Sequence, residues 1–192
     1  MNKLIQLTLF AILSVLLIAE TSFAQERANE SVRPSPNASV SQTIGTTEVT
    51  VNFGRPGIKD RTYFAEDSDL APIGGVWRTG ANEATTITFS DDVIFGGQEV
   101  AAGTYTLFTI PNGDDWTVIL NTALTREDGS PTWGAFTYDE AYDATRVSAA
   151  VVNNNAVMME WFNIYFDTLS DTKAHLNLHW GTTMVAVPIT TN

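Results

Sequence analysis

No cysteine occurs anywhere in the 192 residues. That excludes disulfides, thiol catalysis and the lipidated cysteine of a bacterial lipoprotein. Positive charge is also scarce: Lys and Arg number 10 against 22 Asp and Glu, for a formal net charge of −12. Nucleic acids and anionic lipids are held largely through Lys and Arg, so neither is an expected partner. Histidine is limited to His175 and His179. On one strand they would stand roughly 13–14 Å apart, too far to share a zinc ion with ligands at ~2.0–2.1 Å. There is no GxSxG, HExxH, GxxxxGK[ST] or EF-hand pattern, so serine-hydrolase, zincin, phosphate-loop and calcium-loop chemistry find no signature. Neither a metal site nor a cofactor is expected.

What is present begins with an export signal. Lys3 precedes an apolar run from Leu4 to Ala19, and Ser22-Phe23-Ala24 places small residues at the minus-three and minus-one positions of a signal-peptidase site. Residues 1–24 therefore read as a signal peptide cleaved between Ala24 and Gln25. The run is short for a membrane span and is interrupted by Gln6, Thr8 and Ser14. The mature protein is expected in the periplasm or outside the cell, with no membrane attachment and no second spanning segment. Residues 25–37 are polar, carry Pro34 and Pro36, and read as a flexible leader. Residues 38–192 read as one domain, long enough to bury a core without disulfides.

Within that domain the hydrophobic period is two. Val49, Val51 and Phe53 alternate with polar residues, as do Phe162, Ile164 and Phe166, and Ala174, Leu176, Leu178 and Trp180. This is the pattern of half-buried antiparallel strands. Further strands are expected at 38–44, 84–89, 93–95, 104–110, 116–121, 145–152 and 183–189, separated by turn formers such as Gly96-Gly97 and Pro111-Asn112-Gly113. About ten short strands predict an all-β fold, an antiparallel β-sandwich of jelly-roll type, with a closed barrel as the alternative. Two stretches break the rhythm, residues 54–83 and 122–144. Loops of that length in a compact domain either pack or work.

Chemistry concentrates in those two stretches. Arg55, Lys59, Arg61 and Arg78, four of the ten cationic residues, fall in the first. A guanidinium is a planar fork of donors suited to carboxylate, phosphate or sulfate. The segment Trp77-Arg-Thr-Gly-Ala-Asn-Glu83 adds an indole, an amide and a carboxylate around small residues. The second stretch offers Trp133 and Tyr138. The expected ligand site joins Arg55, Trp77, Arg78, Asn82, Glu83, Trp133 and Tyr138. In it the arginines bind ligand oxygens, Asn82 and Glu83 orient the ligand, and the aromatics stack on it. A structural alternative has the arginines satisfying loop carbonyls, or Arg78 pairing with Glu83. Trp116 and Trp180 share strand faces with aliphatic residues and are expected in the core.

Three stretches together carry a resemblance. "RPSPNASVSQTIGTTEVTVNFGRPGIKDR", "VWRTGANEATTITFSDDV" with "AAGTYTLFTIP", and "WTVILN" followed by "WGAFTYDEAYDATRV" resemble a bacterial family of exported proteins called domain of unknown function 2911. The resemblance runs from about Arg33 to Ile189, and the Trp77–Glu83 heptad is its most specific part. It implies export and a shared fold, and no activity. Residues 125–131 form a longer segment before Trp133-Gly134 than the family pattern usually has.

The function expected from these residues is binding of a small polar ligand or glycan. One rival is a hydrolase that uses Glu83 with a second carboxylate, Asp139 or Asp143. Another is an assembly role through exposed strand edges. The oligomeric state is left open.

Overall fold

A computed structural model describes residues 31–153 and 157–191. The signal segment and the Ala24–Gln25 cleavage position lie outside the described residues, as does the first part of the leader.

Among the described residues, eleven strands form one antiparallel ladder. They are β1 (Asn37–Ile44), β2 (Thr47–Gly54), β3 (Thr86–Phe89), β4 (Val93–Phe95), β5 (Gln98–Val100), β6 (Gly103–Ile110), β7 (Asp115–Asn121), β8 (Asp143–Asn153), β9 (Met159–Ser170), β10 (Lys173–Gly181) and β11 (Thr183–Thr190). The order across the ladder is β1-β2-β3-β6-β7-β8-β11-β10-β9, with the small β4–β5 hairpin attached to β11. The only helical element among the described residues is a 3-10 turn, Glu140–Tyr142. The expected all-β antiparallel class is therefore found. The ladder curls until its two ends approach: Gln42 of β1 donates to the Thr168 hydroxyl of β9 at 3.1 Å. The result is nearly closed and barrel-like.

Period-two alternation explains why the sheet curls around one core. In β10 the residues Ala174, Leu176, Leu178 and Trp180 are all at most 2% exposed, and they meet Val49, Val51 and Phe53 from the other end of the ladder in a single cluster. At ~25 cal/mol per Å², a buried indole of about 150–250 Å² contributes roughly 4–6 kcal/mol as an upper bound. Trp116 and Trp180 are in this core as expected. So is Trp77, for which the first loop left either a core-capping or a ligand-stacking role open.

The register decides where the loops go. Asn52, Thr86, Thr106, Asn121 and Asp143 follow one another across β2, β3, β6, β7 and β8. The loop between β2 and β3 and the loop between β7 and β8 both spring from this row. The start of β1 lies at the same end, with Asn37 opposite Gly54. Both irregular stretches and the leader thus converge at one end of the barrel.

Candidate functional site

The β2–β3 loop is built on backbone conformations that most residues avoid. Lys59, Asp60, Phe64, Thr79 and Asn82 all have positive φ between 48° and 64°. Such strain persists only where surrounding contacts over-determine it, and here the contacts are visible. The backbone N–H of Trp77 donates to the Thr109 carbonyl at 2.7 Å and Thr109 returns a bond of 3.0 Å, so the loop briefly pairs with β6. The Thr85 hydroxyl donates to the Thr79 carbonyl at 2.8 Å.

Next the loop crosses the end of β2 at backbone contact. A Cβ on Gly54 would lie 2.1 Å from the Ala81 carbonyl oxygen, and one on Gly80 would lie 2.9 Å from the Gly54 carbonyl oxygen. No other side chain fits either position. Asn82 then donates through Nδ2 to the Ser35 carbonyl at 2.8 Å.

Glu83 closes the knot. Both its carboxylate oxygens accept from Arg33, at 2.7 and 2.9 Å, and it is 7% exposed. The hydrogen bond to Glu83 raises the Arg33 guanidinium above its ordinary pKa. Lys59 donates to the Pro34 carbonyl and the Arg55 N–H to the Pro36 carbonyl. Residues 33–36 are therefore pinned to the loop. The expectation of a flexible leader up to residue 37 is corrected, because main-chain oxygens of this segment satisfy loop donors. The alternative pairing of Arg78 with Glu83 is corrected too, since Arg33 occupies that carboxylate.

Arg78 is the group the knot leaves turned outward. It is half-buried, and its Nη1 donates to the Asn82 carbonyl at 2.9 Å. Burial pushes its guanidinium below its ordinary pKa. No carboxylate bridges it among the described residues. The β7–β8 loop comes over it: Ala84 N–H donates to the Thr132 carbonyl at 3.2 Å, and a Cβ on Gly134 would lie 3.1 Å from Arg78 Nη1. Between the two loops is a cleft of about 280 Å³, lined among others by Arg61, Asp69, Trp77, Arg78, Asn82 and Trp133. Trp133 is 43% exposed at its edge.

Four of the seven expected residues, Trp77, Arg78, Asn82 and Trp133, thus line one cleft. Trp77 does so as buried floor, not as an open stacking surface. It is 3% exposed and lies parallel to Trp180, with ring centroids 5.6 Å apart and planes at 10°. That corrects its expected stacking role. Arg55 points elsewhere, with Nε on the Phe162 carbonyl at 2.9 Å. Tyr138 packs on Phe108 and donates to Asp143 at 2.7 Å. Neither lines the cleft, and Glu83 lies within the knot. Arg61 and Asp69 line the cleft but were not singled out from the sequence. Arg61 was visible as part of the cationic concentration, while nothing local marked Asp69.

A larger groove of about 1270 Å³ is lined mostly by the β7–β8 loop. Thr86, Thr125, Arg126, Thr137 and Tyr142 are among its lining residues. None of the expected site residues lines it.

The sequence model of the family described as "Protein of unknown function (DUF2911)" matches residues 35–189. No curated protein matches the chain, and no solved structure does.

Proposed function

The chain belongs to the DUF2911 family, and from that premise we propose that it is a binding protein whose site is the Arg78 cleft. Its ligand is a small anion carrying a carboxylate, phosphate or sulfate group. The observation that supports this best is the state of Arg78: a half-buried, desolvated guanidinium that donates to the Asn82 carbonyl and has no carboxylate bridge among the described residues, at the wall of a solvent-reached cleft. A bound oxyanion supplies the countercharge that offsets the penalty burial places on the guanidinium. Trp133 covers the flat or ring portion of the ligand at the rim. A cleft near 280 Å³ is at the small end for ligand sites, which favours one compact molecule over a chain.

A thermal-shift screen with phosphate, sulfate, succinate, citrate and neutral sugars tests the proposal. A ligand that prefers the native state raises the melting temperature. The expected hit is an anion whose effect disappears in Arg78→Gln.

The hydrolase reading loses support, because Glu83 is engaged by Arg33 on both oxygens. Glycan binding keeps one observation in its favour: Tyr142, 54% exposed, stands beside the threonine hydroxyls of the larger groove. An oligosaccharide bound there stabilises Arg78→Gln as it does the wild type, and not Tyr142→Ala.

The same proposal keeps the export reading. Mature protein isolated from outside the cytoplasm begins at Gln25. It also keeps the jelly-roll description, with β1-β2-β3-β6-β7 and β11-β10-β9 as two layers joined at β8.

A further inference from the structure

The outer face of β10 holds a feature that neither the core nor the Arg78 cleft uses. His179 points away from the core side of the strand, yet it is only 5% exposed. Its Nε2 lies 3.1 Å from the Val157 carbonyl oxygen. A carbonyl can only accept, so Nε2 carries the proton in that bond. In the neutral ring Nδ1 then carries a bare lone pair. Nδ1 is buried and has no hydrogen-bond partner among the described residues. A buried imidazole whose far N–H is fixed by a main-chain carbonyl is the arrangement that aims the other nitrogen at a metal.

The neighbours decide which metal. Met184 is the direct cross-strand partner of His179 on β11, and side chains at paired positions lie side by side on one face. Tyr165 fixes the thioether: its hydroxyl donates to Met184 Sδ at 3.1 Å, and its ring centroid lies 6.3 Å from that of His179. Of the four methionines in the chain, the two others after Met1 are Met158 and Met159. They follow Val157 directly, and Met159 pairs with Gly181, two positions along β10 from His179. Every methionine beyond the initiator therefore falls at this corner. Thioethers with one imidazole are a soft donor set, and no cysteine exists to compete. Hard cations prefer oxygen ligands, whereas monovalent copper accepts sulfur and imidazole.

We propose that His179 Nδ1 and Met184 Sδ, with a second thioether from Met158 or Met159, form a binding site for Cu(I) or another soft monovalent cation. The site is independent of the Arg78 cleft and involves no change of oxidation state.

The test is competition for Cu(I), kept reduced by ascorbate, between the purified protein and the coloured bis-bicinchoninate complex. The wild type is expected to withdraw one equivalent. Met184→Leu weakens binding by about tenfold or more, as loss of a soft ligand demands. His179→Gln abolishes it, while His175→Ala behaves as wild type. Ag(I) titration should reproduce the stoichiometry without redox chemistry. Failure of the wild type to withdraw copper overturns the proposal. So does withdrawal that is unchanged in both Met184→Leu and His179→Gln. If His179→Gln does not fold, Met184→Leu, which keeps the side-chain volume, decides alone.

Discussion

Arg33 binds both carboxylate oxygens of Glu83, at 2.7 and 2.9 Å, across fifty positions of chain. This pair ties the segment before the first strand to the loop that carries Arg78. Removing either partner strands the other in a poorly solvated place. Arg33→Ala and Glu83→Gln are each expected to lower the melting temperature, and the double variant to fall little further than the worse single one. Thermal denaturation of the four proteins measures this coupling. Simple additivity would show that the pair does not act as a unit.

The crossing of the loop over β2 is equally specific. Gly54 has the Ala81 carbonyl oxygen 2.1 Å from where its Cβ would be. Because the obstacle is backbone, a rotamer change cannot relieve it. Gly54→Ala is expected to destabilise by about 2–3 kcal/mol, a fall of roughly 5–10 °C for a domain of this size. Gly97, whose Cβ would meet nothing within 4 Å, is the control, although its φ of 87° adds some backbone strain. An unchanged melting temperature for Gly54→Ala contradicts the close approach.

The tryptophans separate by role. Trp180 is 1% exposed and contacts Tyr63, Phe64, Trp77 and Phe162. Trp180→Ala is expected to cost about 3–5 kcal/mol. Trp133→Ala, at the rim, is expected to change stability by no more than about 0.5 kcal/mol while weakening ligand binding. Urea unfolding of both variants checks the contrast.

Tyr138 makes stability depend on alkaline pH. Burial, then the bond to Asp143, pushes its hydroxyl up to about 12 from the ordinary 10.0. The folded state therefore keeps a proton that the unfolded state loses between those values. Stability from this group is complete below pH 10 and is lost as pH rises toward 12. Tyr138→Phe is expected to flatten that part of the stability profile. The tyrosinate absorbance present in the folded wild type and missing from Tyr138→Phe should titrate well above the ordinary 10.0. A missing component that titrates at the ordinary value would contradict it.

Much of this was legible in the sequence wherever the physics is local. Strands such as β2 and β10 announce themselves because alternation reflects one buried face. The strand β5, Gln98–Val100, did not, since only Val100 of its three residues is buried. The two loops were legible as interruptions of the period. Their meeting was not, because it depends on register, which aligns Asn52, Thr86, Asn121 and Asp143. Trp77 and Trp133 have similar polar neighbours, yet one is core and the other rim. Trp77 pairs with Thr109 through the backbone, and its ring packs against Phe64, Trp116, Phe162 and Trp180. The partner of Glu83 was misplaced for a related reason: Arg78 is near in sequence, Arg33 near in space.

The most direct measurement of the central claim is calorimetric titration of phosphate, sulfate, succinate and citrate into the wild type and Arg78→Gln, with melting temperatures recorded for both. The expected result is saturable one-to-one binding of at least one anion by the wild type, none by Arg78→Gln, and closely similar melting temperatures without ligand. Absence of anion binding by the wild type, together with a large drop in the melting temperature of Arg78→Gln, would contradict it and make Arg78 part of the knot alone.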